Sequence, residues 1–190
     1  MIRKVTLVFC ALLVTGCTTG SAVTTGYYDI SGSNDRELDL SIRELGPMFG
    51  HAFAATQMQI LPVTVTPVET ATGCKISRAT FKVKAKIILP RWKDRSNADA
   101  ALRAGFDNYA DYAVIHEKTH VRIGEAAAIA MGEAVELIPE QKNCDELYVK
   151  VKETIAKIQR KHVSLQLAFD ASEKKRIDKL VREGVGVAFK

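Results

Sequence analysis

Phe81-Lys82-Val83-Lys84-Ala85-Lys86-Ile87-Ile88-Leu89 is the stretch that decides the fold. Phe81, Val83, Ala85, Ile87 and Leu89 alternate with Lys82, Lys84 and Lys86. Successive strand residues point to opposite faces, so this pattern predicts a strand with one buried and one wet face. The strand is expected from Lys75 to Leu89, and Leu89-Pro90-Arg91-Trp92 closes it. Upstream, Met58, Ile60, Pro62, Val63, Val65 and Val68 predict an extended segment whose prolines suit an edge. Thr72-Gly73 falls in the turn between the two, which predicts an antiparallel pair.

Working outward, Tyr27-Tyr28-Asp29-Ile30-Ser31-Gly32 reads as a strand ending in a turn. Leu38, Ile42 and Leu45 lie at helical spacing within Asp35 to Leu45, and Gly46-Pro47 stops that helix. Beyond the strands the period changes. A helix is expected from about Asn97 to Ile138, ended by Pro139, and a second from Asp145 to Glu183, ended by Gly184. Strands first and helices after predict an α+β domain: an N-terminal antiparallel sheet followed by two long helices.

The N-terminus reads as a targeting segment. Arg3 and Lys4 precede an apolar run from Val5 to Val14, too short to span a bilayer. Val14-Thr15-Gly16-Cys17 resembles a bacterial lipobox, in which the cysteine becomes the lipidated first residue. The expected layout is a signal peptide over residues 1–16, lipidation and membrane anchoring at Cys17, a Thr/Gly/Ser/Ala-rich tether over 17–26 and one domain over 27–190. The chain has 190 residues, 47% of them apolar and 26% charged, as in an ordinary globular protein. Its formal net charge of +5 includes Arg3 and Lys4, and the remainder is too mild and too scattered to indicate nucleic acid. Of four cysteines, Cys10 leaves with the signal and Cys17 is the lipid site. The remaining Cys74 and Cys144, in an exported chain, are expected to form a disulfide.

The chemistry is carried by His116-Glu117-Lys118-Thr119-His120. Four helical residues advance about 400°, so both imidazoles project from one face and can reach one zinc ion. In this H-E-x-x-H pattern the carboxylate, here Glu117, is the general base that deprotonates water on the metal. Flanking Val114, Ile115, Val121 and Ile123 place the motif against packed surface. The extended three-histidine form of the motif is absent, because Arg122-Ile123-Gly124-Glu125 does not supply it. A third ligand is then expected downstream, from Glu140, His162 or Asp170. Glu140 follows Pro139 in an expected loop and His162 lies among Arg160 and Lys161. Asp170 follows Leu165, Leu167, Ala168 and Phe169 on the second helix, where a carboxylate needs a partner.

From about Tyr28 to Ala171 the sequence resembles a bacterial domain-of-unknown-function family described as predicted secreted zinc-dependent proteases. The residues that carry the resemblance are Tyr28-Asp29-Ile30-Ser31-Gly32, Leu45-Gly46-Pro47, Gly73-Cys74-Lys75-Ile76, Leu89-Pro90-Arg91-Trp92, His116 to His120, Cys144-Asp145-Glu146-Leu147 and Phe169-Asp170-Ala171. The family has Tyr where Phe169 stands, and a Thr and a His-Gly pair that Ser172 to Arg176 lack. The resemblance implies a zincin-like fold and a metal held by His116, His120 and Asp170, with a peptide or protein substrate in the cell envelope. By analogy with such folds, the strand from Phe81 to Leu89 is expected near the cleft, where a sheet edge could take an extended peptide. The rival expectation is a non-catalytic envelope lipoprotein that binds a partner, its metal structural or vestigial.

Overall fold

The chain is described from a computed structural model covering residues 21–183; the expected leader, the lipid site Cys17 and Gly184 lie outside the described residues. The fold is α+β. Strand β1 (Ala22–Ile30) is followed by helix α1 (Asp35–Leu45) and a one-turn segment α2 (Pro47–Gly50). Strands β2 (Ala55–Glu69) and β3 (Cys74–Trp92) come next, then the long helices α3 (Ala100–Glu136) and α4 (Cys144–Arg182). Among the described residues no helix is long and apolar enough to cross a membrane.

The helices begin where capping chemistry allows. Asn34, Asp99 and Asn143 each accept a hydrogen bond on the side chain from the backbone N–H three residues on, satisfying a donor the helix leaves open. The alternation along Phe81 to Leu89 is realised: Phe81, Val83, Ala85 and Ile87 are buried, and Lys82, Lys84 and Lys86 are exposed. β3 pairs antiparallel with β2, with irregularities at Pro62/Thr64 and Thr66/Pro67. Proline has no N–H for a ladder, so both prolines sit where the ladder is interrupted or at the open edge.

Two expectations are corrected here. The sheet is mixed rather than wholly antiparallel, because β1 runs parallel to β3, with Ala22 opposite Lys84 and Ile30 opposite Trp92. The crossover from β1 through α1 and β2 brings the chain back on that side, which no strand pattern announces by itself. Strand β1 also starts at Ala22, inside the stretch read as tether; Val23, Thr24 and Thr25 are β-branched and suit a strand. The order β1-β3-β2 makes β3 the central strand and β2 an edge. From Lys84 to Ile88 β3 is paired on both sides, so the free sheet edges beside that stretch are those of β1 and β2.

Helix α3 lies across the sheet. Val121, Ala128, Met131 and Val135 join Ile76, Phe81, Val83, Ala85 and Ile87 in one core, with Leu147 and Val151 of α4. The helix comes close because Gly132 has no Cβ; one there would stand 2.8 Å from the Ala79 carbonyl oxygen. A smaller core under α1 gathers Ile30, Leu38, Trp92 and Ala98. Cys74 and Cys144 form the expected disulfide, tying the start of β3 to the start of α4. In the chain-entropy view a loop this long contributes about 4 kcal/mol.

Candidate metal centre

Helix α3 presents His116 and His120 toward α4, and α4 returns Asp170 to meet them. The Nε2 atoms of the two histidines are 3.1 Å apart. Asp170 Oδ1 lies 3.3 Å from Nε2 of His116 and 3.0 Å from Nε2 of His120. Three ligand atoms thus form a nearly equilateral triangle. Nitrogen and oxygen ligands about 2.0–2.1 Å from a tetrahedral zinc stand roughly 3.3 Å apart, so the triangle has the size of three corners of such a site. Phe169 packs on both rings, with centroids 4.8 and 5.1 Å away, and helps hold them.

Hydrogen bonds on the far side of each ring set the protons. Gln166 donates through Nε2 to the His120 backbone carbonyl at 3.0 Å, which can only accept. That fixes the amide, so its Oε1 faces His120 Nδ1 at 2.5 Å and the ring must donate there. His116 Nδ1 faces the Tyr112 hydroxyl at 3.4 Å, and that hydroxyl donates to Glu173 at 2.9 Å. Held this way, the rings turn their Nε2 atoms toward each other and toward a carboxylate oxygen. Three such atoms within 3.3 Å of one another could hold a cation or share a proton. Glu173 is itself paired with Arg176, which holds its carboxyl below the usual carboxylate range. Burial and the hydrogen bond to Glu173 push the Tyr112 phenol up, so it stays a donor.

Glu117 is buried beside the cluster, 5% exposed, the one buried charged side chain among the described residues. The Thr56 hydroxyl, at the start of β2, lies 2.7 Å from its Oε2 and 3.2 Å from its backbone carbonyl. Two cavities of about 440 and 450 Å³ flank the cluster, both lined by His116, Glu117 and Asp170. A carboxylate beside such a cluster, bordering both cavities, can move a proton between water and a bound group.

Of the downstream candidates, only Asp170 reaches the two histidines. Glu140 lies beyond the C-terminal end of α3, away from the two histidines. Its carboxylate accepts from the hydroxyls of Thr70 and Thr72 in the β2–β3 turn, and these bonds hold it below the usual range. His162 lies in the cleft wall, 2.8 Å from Gln166 Nε2, with burial and the nearby His120 holding its pKa down. It acts through Gln166 rather than on the triangle. Thr56, Tyr112, Gln166 and Glu173 were not singled out by motif. Tyr112 precedes His116 by one turn, and Gln166 and Glu173 lie one turn either side of Asp170, so helical spacing carries a signal for these three. Nothing local marks Thr56, which arrives from a strand.

Fold and cluster together define an α+β chain with an H-E-x-x-H helix and a convergent His-His-Asp group. The chain belongs to the family described as Bacterial protein of unknown function (DUF922), which it matches over residues 25–176. No curated protein and no solved structure matches it.

Proposed function

We propose that this protein is a zinc-dependent peptidase of the cell envelope, zincin-like in its site, with His116, His120 and Asp170 as zinc ligands. The observation that carries the reading is the triangle of Nε2, Nε2 and carboxylate oxygen, 3.0–3.3 Å on its edges, with Glu117 buried alongside. Zinc, when bound, would lower the pKa of a water toward neutrality and polarise the scissile carbonyl. The chain's own residues do the rest. Gln166 and the Tyr112–Glu173 pair orient the imidazoles. Glu117, oriented by Thr56, accepts the proton from the attacking water on its carboxylate and delivers it to the leaving amine nitrogen. The edge of β2 beginning at Ala55 lies beside Glu117 and is suited to hold an extended polypeptide by main-chain hydrogen bonds.

The Cys74–Cys144 disulfide supports an oxidising compartment and so export. With the leader sequence, it favours a lipoprotein anchored through Cys17 and facing the periplasm. The test joins metal and turnover. Purified mature chain should carry one zinc per molecule by elemental analysis, and His120→Ala should carry none. Glu117→Gln should keep the zinc while cleavage of unfolded protein falls by about 10²–10⁴-fold. A zinc-free wild type after growth in zinc-supplemented medium would overturn the reading. Zinc without turnover would leave a binding protein.

A further inference from the structure

The segment between α1 and β2 is built in a way the core does not explain. Met48 has φ 54 and ψ 42, and Phe49 has φ 59 and ψ 40. Both are left-handed, a region that bulky L residues avoid because Cβ crowds the backbone. Gly50 follows at φ 77, where a Cβ would stand 1.7 Å from the Arg43 carbonyl oxygen, so the turn is seated directly on the last turn of α1. Gly50 N–H donates to the Gly46 carbonyl at 3.0 Å, and Ala52 N–H to the Pro47 carbonyl at 3.3 Å. The base is thus fixed. The tip carries Met48 67% exposed and Phe49 97% exposed. A strained turn that holds two large apolar side chains in water gains nothing from burial. Such strain collects where a surface must meet something else.

Its position says what it meets. Met48 lines the same cavity as His116, Glu117 and His120. The stretch from Met48 to Met58 lines that cavity with two methionines, three alanines and Thr56, while α3 and α4 supply the polar wall. A flexible thioether on each side of a row of alanines makes an apolar pocket that can adapt to its guest.

We propose that the Met48–Phe49 turn is a fixed apolar lip that selects the substrate. The occupant is a polypeptide with a large apolar side chain next to the bond facing Glu117; Met48 forms the wall of its pocket and Phe49 the outer rim. The inference rests on the hydrolytic reading above and specifies its substrate class.

Zinc-loaded wild type is incubated with reduced, carboxymethylated casein, and the cut sites are mapped by mass spectrometry. Phe, Leu and Met should be enriched at one position flanking the cut. Met48→Asn and Phe49→Asn should lose that enrichment. On a fluorogenic peptide with Leu at that position KM should rise about tenfold, with zinc content unchanged. Asn is chosen because it tolerates the left-handed backbone, so the turn persists without its apolar surface. Met48→Phe, which narrows the pocket, should shift the preference toward smaller apolar residues. Cleavage without apolar preference, or a preference that all three variants keep, overturns the lip and leaves the peptidase standing. No cleavage by zinc-loaded wild type overturns both. If the Asn variants keep the cut-site preference but no longer bind phosphatidylethanolamine–phosphatidylglycerol vesicles, the turn is a membrane contact and the proposal fails.

Discussion

The C-terminal end and the middle of helix α3 treat polar groups in opposite ways. Near its C-terminus, polar chemistry closes structure. Cys74 bonds Cys144, the Cys74 backbone pairs with Gln141, and Glu140 accepts from the hydroxyls of Thr70 and Thr72. Near its middle, beside β2, polar groups converge on one point. Burial is not what separates them, since Cys74 and Glu117 are both inside. The difference is whether the polar groups pair off or converge. A satisfied network stabilises; a convergent cluster of possible ligand atoms is where the proposed cation would bind.

That contrast can be broken by substitution in either region. The largest effect is expected from Asp170→Asn. Replacing a charged oxygen by an amide should weaken zinc binding by more than about 100-fold, the upper range for residues that merely support a ligand. Competition with a chelator measures it, and circular dichroism should show α4 intact. An affinity within about twofold of wild type would remove Asp170 from the site.

Next comes the covalent end. Cys74→Ser with Cys144→Ser should lower stability by about 2–5 kcal/mol, read by urea unfolding of the purified domain. Zinc affinity of the folded protein should stay near wild type. A matching loss of zinc affinity would mean that the two regions are coupled along α3.

Gln166→Leu sharpens the comparison further. It keeps the volume but removes the acceptor for His120 Nδ1–H, so the ring is no longer held with Nε2 toward the triangle. Zinc affinity should fall about 10–100-fold, with Tyr112→Phe in the same range or below it. If both keep wild-type affinity, packing by Phe169 orients the rings and the hydrogen bonds do not.

Glu140→Gln should do least. An exposed carboxylate becomes an amide that can still accept from the two threonine hydroxyls, so stability should shift by no more than about 0.5 kcal/mol and zinc not at all. Loss of zinc there would contradict the placement of Glu140 away from the two histidines.

Much of this was legible in the chain itself. Alternation from Phe81 to Leu89 announced the central strand, because strand period and burial are local consequences of backbone geometry. Asp35–Leu45 was readable to the residue, since its apolar spacing and its Gly46-Pro47 stop are local. The pairing of His116 with His120 needed only helical pitch. The expectation of export, with two cysteines remaining, implied the disulfide, and the disulfide is present. What sequence could not decide is everything that depends on where distant elements meet. Strand β1 could lie on either side of β3 and in either direction, and packing, not pattern, chose parallel. Asp170 was favoured over Glu140 and His162 by its apolar surroundings, but only the crossing of α3 and α4 brings its carboxylate within 3.3 Å of both imidazoles. Thr56 meets Glu117 only because the sheet places the start of β2 against the middle of α3. Local periodicity determines which face a residue occupies; long-range packing determines what that face touches, and chemistry begins with the touch.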